Sequence, residues 1–264
     1  MNILCVGDVV GSAGCKLLRQ ELHKYKQQYA VDICIVNGEN AADGNGLTPA
    51  AVEHLITSGA DVITGGNHTF RRRELYDILE TSGTVLRPAN YPKTAPGSGL
   101  FMIDKGRYQV AVINLNGVVY MEPLACPFET LDSLLIQAGN PKFCVLDFHA
   151  EATAEKKALA FYADGRVSAI FGTHTHIQTA DEQILPNGTG YITDAGMTGP
   201  IDSVLGIRPE HAIKKMHDKL PVRFGVAGGP CSINAILFKI SEDTGKTICV
   251  KRLNSLKPEI NNKI

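Results

Sequence analysis

Six short runs in this chain, NILCV, DICIV, DVIT, QVAVINL, KFCVLDF and VSAIF, are apolar almost throughout and rich in Val and Ile. A strand with one wet face alternates apolar and polar residues; a strand without one must be covered on both sides. Between the runs lie segments with helical apolar spacing, at 13–28, 49–58, 72–81, 128–138 and 152–164. Thr48 and Pro49 suit an N-cap and first helical turn, and Gly59 suits a helix stop. The first three strand–helix units predict parallel pairing through crossover helices.

Later segments read as hairpins: GLFMID with YQVAVINL across KGR, the two halves of EQILPNGTGYITD, and SINAILFKI with KTICVKRL. The order therefore predicts an α/β fold with two mixed sheets and helices outside. No linker, repeat or low-complexity tract divides the 264 residues, so the chain reads as one domain, 1–264. A helix over 209–219 followed by VRFGVAGGPCS reads as a flap or insertion around 197–231, near the site.

The polar residues at the end of each buried run carry the chemistry. The runs end in Gly7-Asp8, in NGEN at 37–40, in GGNHT at 65–69, in His149, and in GTHTH at 172–176. Parallel strands deliver such ends to one edge of a sheet, where ligands gather. Singly, Asp8 could cap a helix, Asn40 could hold a turn, and His149 could be a satisfied core histidine. Together they are costly to bury unless bonded or metal-bound. In His-x-His, strand geometry would put both imidazoles on one face, able to converge on one point.

Carboxylate, amide and imidazole without thiolate suit iron, manganese or zinc in an open catalytic site. The donors outnumber the needs of one tetrahedral ion, and two ions sharing a carboxylate would use them all. A hydroxide shared by such ions is a nucleophile at neutral pH and could attack a phosphodiester in line.

In order, GD…GEN…GNH…H…GTHTH resembles the calcineurin-like metallophosphoesterase superfamily. GDVVG, NGENAADGNG, GGNHT and DAGMTGP resemble its YmdB-like branch of bacterial phosphodiesterases, over Met1 to about Ile240. The resemblance implies a four-layer α/β/β/α sandwich of two mixed sheets with a dinuclear site, iron being the leading expectation. It implies Asp8, Asn40 and His176 on the first metal, Glu39 bridging, and Asn67, His149 and His174 on the second. His68 would protonate the leaving oxygen. Two departures from the wider superfamily match this branch: Val9 and Val10 follow Asp8 where Asp-x-His is usual, and Glu39 replaces a bridging Asp. The resemblance implies that Asn40 fills the vacancy left by the missing histidine. Thr69 replaces an acidic residue often found after Asn-His.

The substrate the resemblance implies is a 2′,3′-cyclic nucleotide; residue spacing alone supports phosphoester hydrolysis. Other readings are a phosphomonoesterase or nucleotidase on the same metals, and a regulatory protein that binds a nucleotide or RNA end with slow turnover. Arg71 is a candidate for substrate phosphate against a solvated helix start paired with Glu74. Thr198, in a turn at 196-GMTG-199, is another, against a plain turn. His23, His54, His211 and His217 read as non-functional.

A net charge of −1 and no aromatic–basic interleaving argue against extended nucleic-acid binding or a membrane surface. Seven scattered cysteines without a C-x-x-C pair, and no leader or membrane-length apolar segment, point to a reducing cytoplasm. Homo-oligomerisation is left open.

Overall fold

The computed structural model describes residues 1–257. In chain order, β1 (Asn2–Val6), β2 (Asp8–Val9), α1 (Gly11–Gln28), β3 (Ile33–Asn37), α2 (Pro49–Ser58) and β4 (Val62–Thr64) come first. After α3 (Tyr76–Thr81) follow β5 (Leu100–Asp104), β6 (Gln109–Asn116), α4 (Pro127–Gln137), β7 (Phe143–His149), α5 (Thr153–Ala163) and β8 (Ala169–Thr173). The rest comprises β9 (Gln183–Ile184), β10 (Gly190–Ile192), β11 (Met197–Pro200), α6 (Pro209–Asp218), β12 (Cys231–Ile240) and β13 (Thr247–Lys257).

One sheet has the order β2-β11-β12-β1-β3-β4, with β13 paired to β12; the other has β5-β6-β7-β8-β10-β9. As the sequence predicts, β1, β3 and β4 run parallel. All three expected hairpins form: β5/β6, β9/β10 and β12/β13 are antiparallel.

The apolar runs serve two layers each, because alternate residues of a strand face opposite ways. Leu4 and Val6 of β1 pack with Leu18 of α1 and Leu55 of α2 in an outer layer. Ile3 and Cys5 face Val110, Val145 and Phe171 of the second sheet in the layer between sheets. Ile113, Leu146 and Phe148 pack with Leu131 of α4 and Leu159 of α5 in the third. Three apolar layers make a four-layer α/β/β/α sandwich.

Local signals behave as their chemistry requires. Thr48 caps α2 by accepting the Ala51 N–H at 3.2 Å, Pro49 opens the helix, and Gly59 closes it at φ 116°.

Two local expectations are corrected. The helix expected over 72–81 begins only at Tyr76, with 3-10 turns at Thr69–Arg71 and Arg73–Leu75 before it. Arg72 is extended there (φ −116°, ψ 108°), its guanidinium bonded to the carbonyls of Asp43 and Asn45. The segment expected as a turn at 196–199 is largely strand β11, recruited by pairing to β2 and β12. Tertiary pairing outweighs the turn preference of Gly196 and Gly199.

Gly7 separates β1 from β2 and fixes where Asp8 begins. A Cβ there would lie 1.9 Å from the Gly196 carbonyl oxygen, so only glycine permits this approach. Gly7→Ala is therefore expected to force the backbones apart and destabilise the protein by roughly 1–3 kcal/mol, read by urea unfolding. A neutral substitution would show that the crossing is slack.

Candidate metal centre

The C-terminal ends of β3, β7 and β8, with the segments that follow β1 and β4, meet at one edge of the sandwich. In the second sheet Asn116, His149 and Thr173 end β6, β7 and β8 in register. Every acidic or imidazole donor expected there is present, and most are buried: Asp8 and His149 are 0 % exposed and Glu39 is 1 % exposed.

Glu39 lies between two groups of donors. Its Oε1 is 3.2 Å from His149 Nε2 and 2.9 Å from the Asn40 Nδ2. On one side, His149 Nε2 also approaches Asn67 Oδ1 at 2.9 Å and His174 Nδ1 at 3.0 Å. On the other, His176 Nε2 lies 3.2 Å from Asn40 Nδ2 and 3.6 Å from Asp8 Oδ1. Glu39, His149 and His174 each offer a ligand atom, all within 4.8 Å of one another.

Two observations test whether these residues fit a cation. A ring nitrogen carries at most one proton, so His149 Nε2 cannot satisfy Glu39, Asn67 and His174 together. Asp8 Oδ1 is buried with no hydrogen-bond partner among the described residues, although the other oxygen accepts the His174 N–H at 3.2 Å. Leaving a buried carboxylate oxygen unpaired is expensive. A cation between the groups would satisfy both, and the donor set fits one.

Each imidazole is held by its outward nitrogen, leaving the other aimed at the cluster. His149 Nδ1 bonds Thr173 Oγ1 at 2.9 Å, and Thr173 donates to Asp147 at 2.7 Å. His174 Nε2 faces Glu151 at 3.1 Å, and His176 Nδ1 faces the Leu205 carbonyl at 3.2 Å. Such partners fix the ring and the tautomer of metal-binding histidines. Asp147 also receives the Thr64 hydroxyl and the Asn37 amide.

The His-x-His works by a different geometry from the one expected. β8 stops at Thr173, and His174 and His176 have φ of 101° and 63°. Left-handed backbone, not strand alternation, turns the two rings toward different halves of the cluster. Residues with side chains resist this conformation, so the loop needs support. Lys156, 1 % exposed, bonds the Thr173 carbonyl at 2.8 Å and Asp194 at 2.7 Å. Asp194 in turn accepts the Thr175 and Gly196 N–H groups.

His68 is 31 % exposed at its side chain, with its N–H on Glu39 Oε2 at 2.9 Å. Its Nδ1 faces Asn40 Oδ1 at 3.0 Å and Glu39 Oε1 at 3.3 Å. Its Nε2 has no hydrogen-bond partner among the described residues. Arg71 is exposed beside the cluster, while Thr198 is wholly buried in β11. His54 bonds the Cys15 carbonyl and His211 accepts the Gly225 N–H, both outside the cluster.

The electrostatics follow from burial opposed by pairing. Burial would raise the Asp8 and Glu39 carboxyls, but His176 beside Asp8 and His149 beside Glu39 hold both below the ordinary range. Burial would lower His149, yet Glu39 and then Asp8 push it up to about 9. Burial and the neighbouring His149 depress His174 to about 4. Burial raises Asp147 to about 6 against its hydroxyl donors.

Sequence reasoning missed Asp147, Glu151, Lys156, Asp194 and Leu205. Asp147 was legible in principle, two residues before His149 on the same strand face. Leu205 acts through its carbonyl, which leaves no trace in residue type.

The sandwich is a fold of the metallophosphoesterase type, with the donor cluster at its sheet edge. The chain belongs to the family of YmdB-like proteins, whose model matches residues 4–253. It is 46% identical over 254 residues to a Bacillus subtilis (strain 168) protein named 2′,3′-cyclic-nucleotide 2′-phosphodiesterase, covering 96% of each chain. It is similar to a solved hypothetical protein from Thermus thermophilus, with a TM-score of 0.91 and 36% identity over 98% of this chain and 100% of that one. It is similar also to a solved phosphatase from Mycoplasma pneumoniae, with a TM-score of 0.92 and 32% identity over 98% and 94% of the two chains.

Two outcomes are expected. Metal-free His149 is protonated below about 9, and a cation must displace that proton. Apparent metal affinity should therefore fall at least about tenfold per pH unit below that value, and more steeply where His176, which Asp8 also raises, takes up its proton, measured by competition titration; a flat profile would contradict it. Lys156→Met leaves Asp194 buried and unpaired, and should cost about 3–5 kcal/mol in urea unfolding. Wild-type stability in that variant would remove the clamp from the account.

Proposed function

We propose that this chain is a metal-dependent phosphodiesterase acting on small phosphodiesters, 2′,3′-cyclic nucleotides foremost. The observation that carries the reading is the set of imidazoles, each anchored through one nitrogen, gathered around the Asp8 oxygen that has no hydrogen bond and the shared carboxylate of Glu39. Two divalent or mixed-valence cations, iron first and manganese or zinc as alternatives, would supply an acidified water as nucleophile and neutralise phosphate charge.

Asp8, Asn40 and His176 would hold the first cation, and Asn67, His149 and His174 the second. Glu39 would serve both, a role supported by its Oε1 facing donors of both groups. The Asn40 amide, turned by 180°, would offer its oxygen to the cluster and an N–H to His68 Nδ1. His68 would then carry its proton on Nε2, the nitrogen left free. From there it can pass to a leaving sugar alkoxide, which departs poorly without one.

The same reading takes 1–264 as one domain, 258–264 lying outside the described residues, with a flap or insertion around 197–231 that begins after β11 leaves the sheet, supported by the Leu205 contact to His176. The cysteines are scattered along the chain with no C-x-x-C pair, which supports a reducing cytoplasm. Among the described residues, no helix is long and apolar enough to cross a membrane.

Glu39→Gln should lower metal content and turnover together, since a neutral amide holds two cations poorly; full occupancy with normal turnover would remove the bridging role. His68→Ala should keep the metals and lose roughly 10²–10⁴-fold in turnover of a 2′,3′-cyclic nucleotide. The loss should shrink for a nitrophenyl diester, whose leaving group needs little protonation. Metal loss in this variant would make His68 a ligand instead.

A further inference from the structure

A cavity of about 350 Å³ opens beside the cluster, with Asn40 and His176 among its lining residues. Small-molecule sites span roughly 300–1,000 Å³, so it can take part of a nucleotide. Its remaining lining includes Arg71, Leu205, Arg223 and Phe224. Neither Arg223 nor Phe224 takes part in the hydrolysis proposed for the cluster.

The lining charge has one sign. Arg71 and Arg223 line the cavity and no carboxylate does. Both arginines are exposed, and neither guanidinium has a hydrogen bond or ion pair among the described residues, Arg71 bonding the His68 carbonyl through its backbone N–H alone. Arg72 differs, since its guanidinium is used on the Asp43 and Asn45 carbonyls. Phe224 is 48% exposed and has no ring partner among the described residues.

The wall is built rather than loose. Arg208 donates its N–H to the Gly225 carbonyl at 3.0 Å, and Ala227 to the Gly206 carbonyl at 2.9 Å. These bonds tie the segment carrying Arg223 and Phe224 to the one whose Leu205 carbonyl faces His176. The cavity is therefore registered against the cluster by backbone bonds.

We propose that this cavity is a nucleotide subsite in which Phe224 stacks on the base and Arg223, with Arg71, binds a second phosphate. Preferred substrates would then carry a 5′-phosphate on the nucleoside whose 2′,3′-phosphate lies at the cluster. This deepens the phosphodiesterase reading and rests on it. A base offers a flat face to an exposed phenyl ring, and a guanidinium fork matches phosphate oxygens in pairs. A cyclic nucleotide with a free 5′-hydroxyl carries one negative charge, which the cluster's cations would already oppose. Two further unpaired guanidiniums call for a second anion.

The test is equilibrium binding by calorimetry to the metal-loaded protein, with adenosine 3′,5′-bisphosphate and adenosine 3′-monophosphate as probes. The wild type should bind the bisphosphate at least about tenfold more tightly. Arg223→Met should cut that ratio below about threefold, and Phe224→Ala should weaken both probes by about tenfold. Equal binding of the two probes by the wild type, or an unchanged ratio in Arg223→Met, overturns the proposal. If Arg223→Met does not fold, the ratio in Arg71→Met decides in the same way. Hydrolysis of methyl nitrophenyl phosphate, which lacks base and second phosphate, reports on the phosphodiesterase reading separately. Turnover of that diester without a bisphosphate preference sinks the subsite alone. A bisphosphate preference without diester hydrolysis supports the subsite and sinks the enzymatic reading.

Discussion

Carboxylates and imidazoles buried against one another at a shared sheet edge are the constraint on which this structure turns. Asp8, Glu39 and His149 have almost no contact with solvent. A charged group removed from water must find equivalent partners inside the protein. Here the partners are each other, and the arrangement leaves one oxygen of Asp8 unsatisfied. The donor atoms are thus held close together by the fold itself, which is the preorganisation that a metal centre needs.

That closeness requires a second ring of structure. Asp147 sits beneath His149 through Thr173, and hydroxyl and amide donors crowd around its carboxyl. Lys156 reaches inward from α5 to Asp194, which gathers the N–H groups of the histidine loop. A buried lysine–aspartate pair is a poor source of net stability. It makes physical sense as a clamp on a loop whose His174 and His176 both sit at positive φ. The layers beneath do the stabilising, and the polar ring sets directions.

Much of this is legible in the chain. Wholly apolar runs such as NILCV and KFCVLDF have no wet face, so they predict strands buried on both sides. Their polar ends mark the edge where the cluster lies. GTHTH reads as a strand-end pair, and the pairing of its rings with different donor groups comes from the family resemblance. Its actual backbone is not legible, because a left-handed histidine depends on the clamp beneath it. The 3-10 turns before Tyr76 escape for a similar reason: Arg72 is drawn out by carbonyls of a distant loop.

By itself, the sequence determined the six buried apolar strands, the crossover helices apart from the start of α3, the hairpins and the residue types that collect at the strand ends. These rest on local periodicity and on the cost of burying polar groups, both readable within a few residues. Only the tertiary structure decided that β12, more than two hundred residues away, lies antiparallel beside β1. It alone decided that the Leu205 carbonyl and Glu151 would hold two of the imidazoles. Backbone carbonyls are present at every position, so no residue pattern marks the one that matters. Long-range pairing is chosen by the sum of many contacts, and that sum exists only once the chain has closed upon itself.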